Sequence, residues 1–301
     1  MVYIYKKMVG GKPYYYLRAS SRKGKKVSVK DIAYLGNSVA EVKESLSKLP
    51  KHNAAIEKAY RTIGLFLESN HFLEETQRLK LKADPFLEEK LAEVEACRLH
   101  YSKVFEKQDP QTKREIFQSF LVEFAFNTAS IEGNTISLKE ARDLLDEGLT
   151  PKGKTLREIY DLQNTEKVFN SLDFGKKLNH ELIESIHDRL LENIDARTGY
   201  RIRDIIVTRS RFKSTPGHLV KIDMDLLLKW FKESEGKIHP FALAAIFHHK
   251  FEKVHPFMDG NGRTGRMLLN FILMKSGYPP VIIRKKIRAD YLDVLSNVDS
   301  S

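Results

Sequence analysis

A mainly α-helical body preceded by a small antiparallel β module is the fold class this sequence predicts, and three observations predict it. The first 36 residues are dense in β-branched and aromatic side chains, interrupted by glycine-containing turns. From Ser38 onward, apolar residues fall at spacings of three and four, with capping signals ahead of several runs. Gly and Pro are scarce through residues 37–132, as long helices require.

Taken in order, residues 2–7, 13–18 and 26–34 read as three strands, with Gly10-Gly11 and residues 20–24 as the turns between them. A three-stranded meander of this size is marginal alone. Leu35-Gly36 closes a module at residues 1–36, and residues 37–85 follow as a helical connector. Ser38 with Glu41, Ser137 with Glu140 and Thr155 with Glu158 all have the spacing of a capping box. Helical periodicity recurs over about 52–67, 86–108, 112–130, 155–173, 179–193, 223–235 and 240–253, and restarts near Arg263. The main exception is residues 200–219, which read as a β-hairpin. The main body is therefore expected to span residues 86–301.

The chain has 301 residues, 42% of them hydrophobic and 30% charged, enough to bury a core and too apolar for a disordered tail. Its longest apolar run is only residues 241–247, far short of the ~20 residues of a membrane span. The N-terminus lacks the apolar stretch of a secretory signal. Cys97 stands alone, so no intrachain disulfide forms and a reducing, cytoplasmic setting is expected. The net charge of +11 is concentrated at one end. Residues 1–36 hold nine Lys/Arg against Asp31, a net +8, and six of the twelve tyrosines. Such a basic, aromatic head suggests weak nucleic-acid contact.

The chemistry lies in HPFMDGNGRTGR, residues 255–266. His255 titrates near neutrality and suits a general base. Asp259 is a carboxylate suited to Mg²⁺, which shares oxygen ligands with substrate phosphates. Gly260, Asn261 and Gly262 can turn backbone N–H groups inward as an anion nest, ahead of a helix N-terminus. Arg263 and Arg266 are three apart and offer forked donors to phosphate oxygens.

Two other motifs overlap this stretch and fail their own context tests. Gly260, Gly262 and Gly265 spell the dinucleotide fingerprint, but helix rather than strand precedes them, and the next strand-like run, VIIR, ends in basic residues. Gly260 and Gly265 fit the front of a P-loop, yet Arg266-Met267 stands where Lys-Ser/Thr is required. A zinc site using His248, His249 and His255 lacks any accompanying HExxH or cysteine cluster. His248 is expected to pack or hydrogen-bond.

The same twelve residues resemble the signature of the Fic family, HPFx(D/E)GN(G/K)RxxR, at every specified position. The resemblance extends to His248 and Phe251 upstream, to GYPPVIIRKKIRADY downstream and to Gly199-Tyr200-Arg201 before the hairpin. It implies a helical core with a β-hairpin flap at about 201–219, using ATP and Mg²⁺ to move AMP onto a protein hydroxyl. His255 would deprotonate the target Ser, Thr or Tyr. Asp259 would bind the metal, and Gly260, Asn261, Gly262, Arg263, Thr264, Gly265 and Arg266 would form the phosphate-binding run. Val207, Thr208, Arg209 and Ser210 would lie along the flap edge beside the nucleotide. Tyr291 matches a position on the adenine side, although Leu292 replaces its usual aromatic neighbour.

Thr128-Ala-Ser-Ile-Glu132-Gly133 also resembles the family's inhibitory pattern, (S/T)xxxE(G/N), at the end of a helix expected over about 112–132. This implies an autoinhibited adenylyltransferase, able to modify itself, with Glu132 facing Arg266. The alternatives are a de-AMPylating hydrolase, in which Glu132 positions water, and a nucleic-acid-binding regulator acting through residues 1–36. The implied partners are ATP, a target protein and, in some settings, a second copy of the chain. No membrane partner is expected.

Overall fold

The computed structural model describes residues 1–205 and 214–297. They divide into two compact units, Met1–His100 and Tyr101–Ser301.

In the first unit, β1 (Val2–Val9), β2 (Lys12–Lys23) and β3 (Lys26–Gly36) form an antiparallel sheet in the order β1-β2-β3. The period of two sends Val2, Ile4, Tyr15 and Leu17 to one face. There they pack with Val42 and Leu46 of α1 (Val39–Ser47) and Ile63 of α3 (Tyr60–Arg78). The short α2 (Asn53–Lys58) lies between those helices in sequence. The sheet is longer than expected. Residues 20–23, read as turn because they are polar, continue β2, and only Gly24 and Lys25 turn the chain. Cross-strand pairing, rather than burial, holds them extended. The Ser38–Glu41 box is also only half formed. Ser38 accepts from the Glu41 N–H, but the Glu41 carboxylate accepts from Asn37 N–H at 2.9 Å.

Eight helices follow: α4 (Leu91–Lys103), α5 (Pro110–Glu132), α6 (Leu138–Glu147), α7 (Leu156–Asn170), α8 (His180–Leu190), α9 (Val220–Ser234), α10 (Pro240–Val254) and α11 (Asn261–Lys275). A last helix, α12 (Arg288–Asn297), ends the described chain. The capping boxes at Ser137 and Thr155 are both complete and start α6 and α7. Asp109 caps α5 at the front, and Gly133 ends it in the left-handed conformation at φ 107°. Ala125, Ala129, Ile136, Leu144 and Leu162 join α5, α6 and α7 in one apolar cluster.

α11 is the centre of the second unit. Every residue from Arg263 to Leu273 is buried, so this helix has no solvent face for a hydrophobic period to reveal. Phe247 and Phe251 of α10 are fully buried beside it. The VIIR run is not a strand. Val281 instead exchanges two hydrogen bonds with the Asn270 side chain of α11, at 2.6 and 3.1 Å. The core of the expected hairpin flap, with Val207, Thr208, Arg209 and Ser210, lies outside the described residues. Among the described residues, no helix is long and apolar enough to cross a membrane.

Candidate active site

α10 stops where His255 adopts a left-handed conformation, φ 50° and ψ 61°. A non-glycine residue rarely pays that strain without support from its surroundings. The support is Arg201. Its guanidinium donates to the carbonyls of His255 (2.7 Å) and Val254 (3.2 Å), and also to those of Arg203 and Thr215. The Arg201 N–H adds a bond to Pro256 O at 2.8 Å. One buried arginine thus joins the backbone at Arg203 and Thr215 to the histidine loop.

The His255 Nδ1–H donates to the Glu252 carbonyl at 3.3 Å, a tautomer that places the basic lone pair on Nε2. Burial holds the imidazole below its ordinary pKa, and the Arg201 charge adds to this. His255 is therefore neutral at neutral pH, as a proton acceptor must be.

The loop then closes on itself. Asn261 Oδ1 accepts from Phe257 N–H, and Asn261 Nδ2 donates to Phe257 O, both at 2.8 Å. The His187 ring stacks on Phe257 at 3.6 Å and hydrogen-bonds Asp259 O at 3.1 Å. Gly260, at φ 77°, is the only one of the three nest candidates with positive φ, and a Cβ there would lie 2.5 Å from Leu191. Asn261 and Gly262 are already helical. The expected three-residue nest is thus a single left-handed glycine ahead of a helix N-terminus, because α11 begins two residues earlier than its apolar pattern. The Asn261 side chain staples the loop, so only its backbone can serve an anion.

The arginines are shared among carboxylates. Arg263 pairs with Asp161 of α7 in a buried contact and lies 3.6 Å from Asp259. Arg157, also on α7, pairs with the other oxygen of Asp259, and Gly260 N–H donates to the first at 2.7 Å. Burial alone would raise the Asp259 carboxyl, but Arg263 and Arg157 outweigh it and keep the group ionised. Asp259 is a single, partly exposed carboxylate. Among the described residues no cluster of three metal-ligating side chains exists. That donor set fits Mg²⁺ arriving on nucleotide phosphates, since this ion keeps waters and takes one or two protein carboxylates.

Arg266, buried in α11, meets the end of α5. It donates to Thr128 Oγ1 (2.7 Å), Thr128 O (3.1 Å) and Glu132 Oε1 (2.7 Å), the last an ion pair. Thr128 and Glu132 stand one helical turn apart, so the spacing in TASIEG lets both grip one guanidinium. Burial works to raise the Glu132 carboxyl, but the Arg266 charge and hydrogen bond prevail and lower it. A Cβ placed on Gly262 would lie 2.1 Å from Glu132 Oε1. The glutamate carboxylate therefore rests on the first turn of α11, the turn whose N–H groups would face an anion.

Behind Arg266 the Tyr291 hydroxyl accepts from its guanidinium at 3.2 Å and bonds His248 Nε2 at 2.8 Å. The phenol is raised by burial and acts as a neutral link. Beneath Gly265 lies Glu252, whose carboxyl is pushed up to about 8 by burial. A Cβ on Gly265 would come within 2.4 Å of it, so Gly265 allows α10 and α11 to approach; its part in the run is spacing. Thr264 is wholly buried.

The fold thus brings together His255, Asp259, Gly260, Gly262, Arg263, Arg266, Glu132 and Tyr291. Sequence reasoning missed the roles of Arg157, Asp161 and Arg201. Thr155 marks the start of α7 and so places Arg157 and Asp161 one turn apart, but nothing in the spacing points them at residues 259 and 263. Arg201 was visible only as part of Gly199-Tyr200-Arg201.

Residues 177–273 match the Fic/DOC family. Among curated proteins, Protein adenylyltransferase fic-1 of Caenorhabditis elegans is 38% identical over 175 residues, covering 56% of this chain and 34% of that protein. Protein adenylyltransferase Fic of Culex quinquefasciatus is 32% identical over 262 residues, covering 84% of this chain and 48% of that protein. The chain spans about a third to a half of the length of these relatives. Among solved structures, a Fic-domain-containing signaling protein from Bacteroides thetaiotaomicron superposes with a TM-score of 0.61 at 25% identity, over 67% of this chain and 80% of that chain. A Fic-1 fragment from C. elegans gives 0.57 at 27% identity, over 85% of this chain and 74% of that chain.

Proposed function

We propose that this chain, which belongs to the Fic/DOC family through residues 177–273, transfers AMP from ATP to a Ser, Thr or Tyr hydroxyl of a protein, itself included. The observation that carries the reading is one loop that joins a neutral imidazole to a helix N-terminus, with buried arginines behind it. A base and an anion cradle held at fixed separation are what nucleotidyl transfer asks of a protein.

In this reading the ATP phosphates lie on the N–H groups at the start of α11, with Arg266 reaching the γ-phosphate and Arg263 steadying the loop through Asp161 and Asp259. Tyr291 acts on the nucleotide side through Arg266. His255 Nε2 takes the proton of the target hydroxyl. The freed oxygen attacks the α-phosphorus, the bond to the bridging oxygen breaks, and pyrophosphate leaves. Mg²⁺ bound with the phosphates would neutralise their charge, and Asp259 would hold it once Arg157 moves aside.

Glu132 holds this site inhibited. Its carboxylate occupies Arg266 and the α11 turn together, so a phosphate on that turn and Glu132 exclude one another. The contact supports an intramolecular lock rather than a solvated helix end. Incubation with α-labelled ATP, Mg²⁺ and a cell lysate tests the activity. Label should appear on this chain or a lysate protein, and should vanish with His255→Ala. No label in parent and Glu132→Gly alike would refute AMP transfer.

A further inference from the structure

Residues 1–36 take no part in that chemistry, yet they hold +8 of the chain's net +11. The sheet shows how the charge is arranged. β1 pairs with β2 only as far as Val2 opposite Ala19, and Ala19 is the last residue of β2 packed against the core. Ser20 still exchanges two backbone hydrogen bonds with Met1, both 2.9 Å, and beyond it β2 and β3 pair only with each other: Ser21 with Ser28, Arg22 with Val27 and Lys23 with Lys26. Every described side chain in residues 21–31 is exposed.

The result is a two-stranded arm, roughly 13 Å long at ~3.3 Å per residue, whose described side chains are all exposed. It carries Arg22, Lys23, Lys25 and Lys26, and Lys30, opposite Ala19, stands at its root. The one acid nearby, Asp31, is already paired with Arg18. A hairpin standing in water is marginal, and its like charges repel, so its sequence gains nothing from the fold that bears it. A polyanion that surrounds it removes the repulsion.

We infer that this arm inserts into the major groove of B-form duplex DNA. A groove about 12 Å wide admits a two-stranded ribbon, and phosphates then flank both edges of the arm. The major groove of an RNA duplex is too deep and narrow for it. Single strands are held by stacking on aromatic rings, but the arm has none. The tyrosines nearer the sheet centre are engaged with their neighbours: Arg18 sits 3.3 Å over the Tyr5 ring, and Tyr34 lies 5.4 Å from Tyr16 and 6.4 Å from Tyr14. The cations contact phosphates rather than bases, so affinity will be weakly sequence-dependent.

The test is fluorescence anisotropy of the full chain with a labelled random-sequence DNA duplex, the same sequence as a single strand, and an RNA duplex, at 50 and 200 mM salt. The DNA duplex should bind tightest. With about four phosphates neutralised, its affinity should fall about 10²-fold across that fourfold change in salt. Replacing Arg22, Lys23, Lys25, Lys26 and Lys30 together by Gln should abolish binding with the melting temperature kept. A second variant, joining Ser20 to Val29 through Asn-Gly, should do the same, because that turn closes a hairpin without strain. Equal or tighter binding of the RNA duplex or the single strand, or binding by either variant like the parent, overturns the inference.

Discussion

Glu132→Gly removes the only carboxylate that pairs with Arg266 from α5, and the size of the effect follows from the contact. The pair is 2.7 Å apart between Nη2 and Oε1. Unit charges about 4 Å apart interact by about 4 kcal/mol at an effective dielectric of 20 and about 1 kcal/mol in water. Arg266 is 3% exposed, but the Glu132 side chain is 45% exposed, so solvent screens the pair and the net value lies toward the lower figure, about 1–2 kcal/mol. That corresponds to roughly 5- to 30-fold in the population of the unlocked site. The fold should tolerate the change. Arg266 keeps Thr128 and Tyr291 as partners, and glycine at the last residue of α5 costs at most ~1 kcal/mol. Intact-mass measurement of self-AMPylation with ATP and Mg²⁺ reads the effect. Glu132→Gly should gain modification by about that factor, Glu132→Gln less, and Glu132→Gly with His255→Ala none. An unchanged rate in Glu132→Gly, with folding intact, refutes the lock. A lower rate, joined to lost removal of AMP from a modified protein, would make Glu132 the group that positions water.

Three further outcomes are expected. His255→Ala should abolish transfer and leave ATP affinity nearly unchanged, because binding rests on the α11 turn and Arg266; calorimetry with ATP separates the two, and equal loss of both would make His255 structural. Arg201→Lys should lower the transfer rate about tenfold with ATP affinity kept, since one ammonium cannot hold the Arg203, Thr215 and His255 carbonyls together and small misplacement is costly; an unchanged rate removes Arg201 as a positioning residue. Glu252 stays protonated in the folded chain up to about pH 8, whereas the unfolded group ionises near 4.5, so its contribution to stability falls as pH rises between those values. Glu252→Gln should therefore gain melting temperature relative to the parent increasingly from pH 5 to pH 8, and a difference that does not vary with pH would contradict the buried protonated carboxyl.

The sequence by itself determined the elements whose causes are local. Alternation around Val2, Ile4, Tyr15 and Leu17 specifies strands, the Ser137 and Thr155 boxes start α6 and α7, and Gly133 ends α5. The grouping of residues 255–266 was legible for the same reason, since His255, Asp259 and the start of α11 lie within twelve residues. Other features needed the tertiary structure. Residues 21–23 are strand because β3 pairs with them, and Asn261 opens α11 with its side chain occupied by Phe257. Arg157 and Asp161 reach Asp259 and Arg263 from 102 residues away, and Arg266 meets Glu132 across 134. Such partners are chosen by how α5, α7 and α11 pack against one another. A hydrogen bond or ion pair between distant segments leaves no periodicity in the chain, so only the packed helices determine which buried arginine each carboxylate meets.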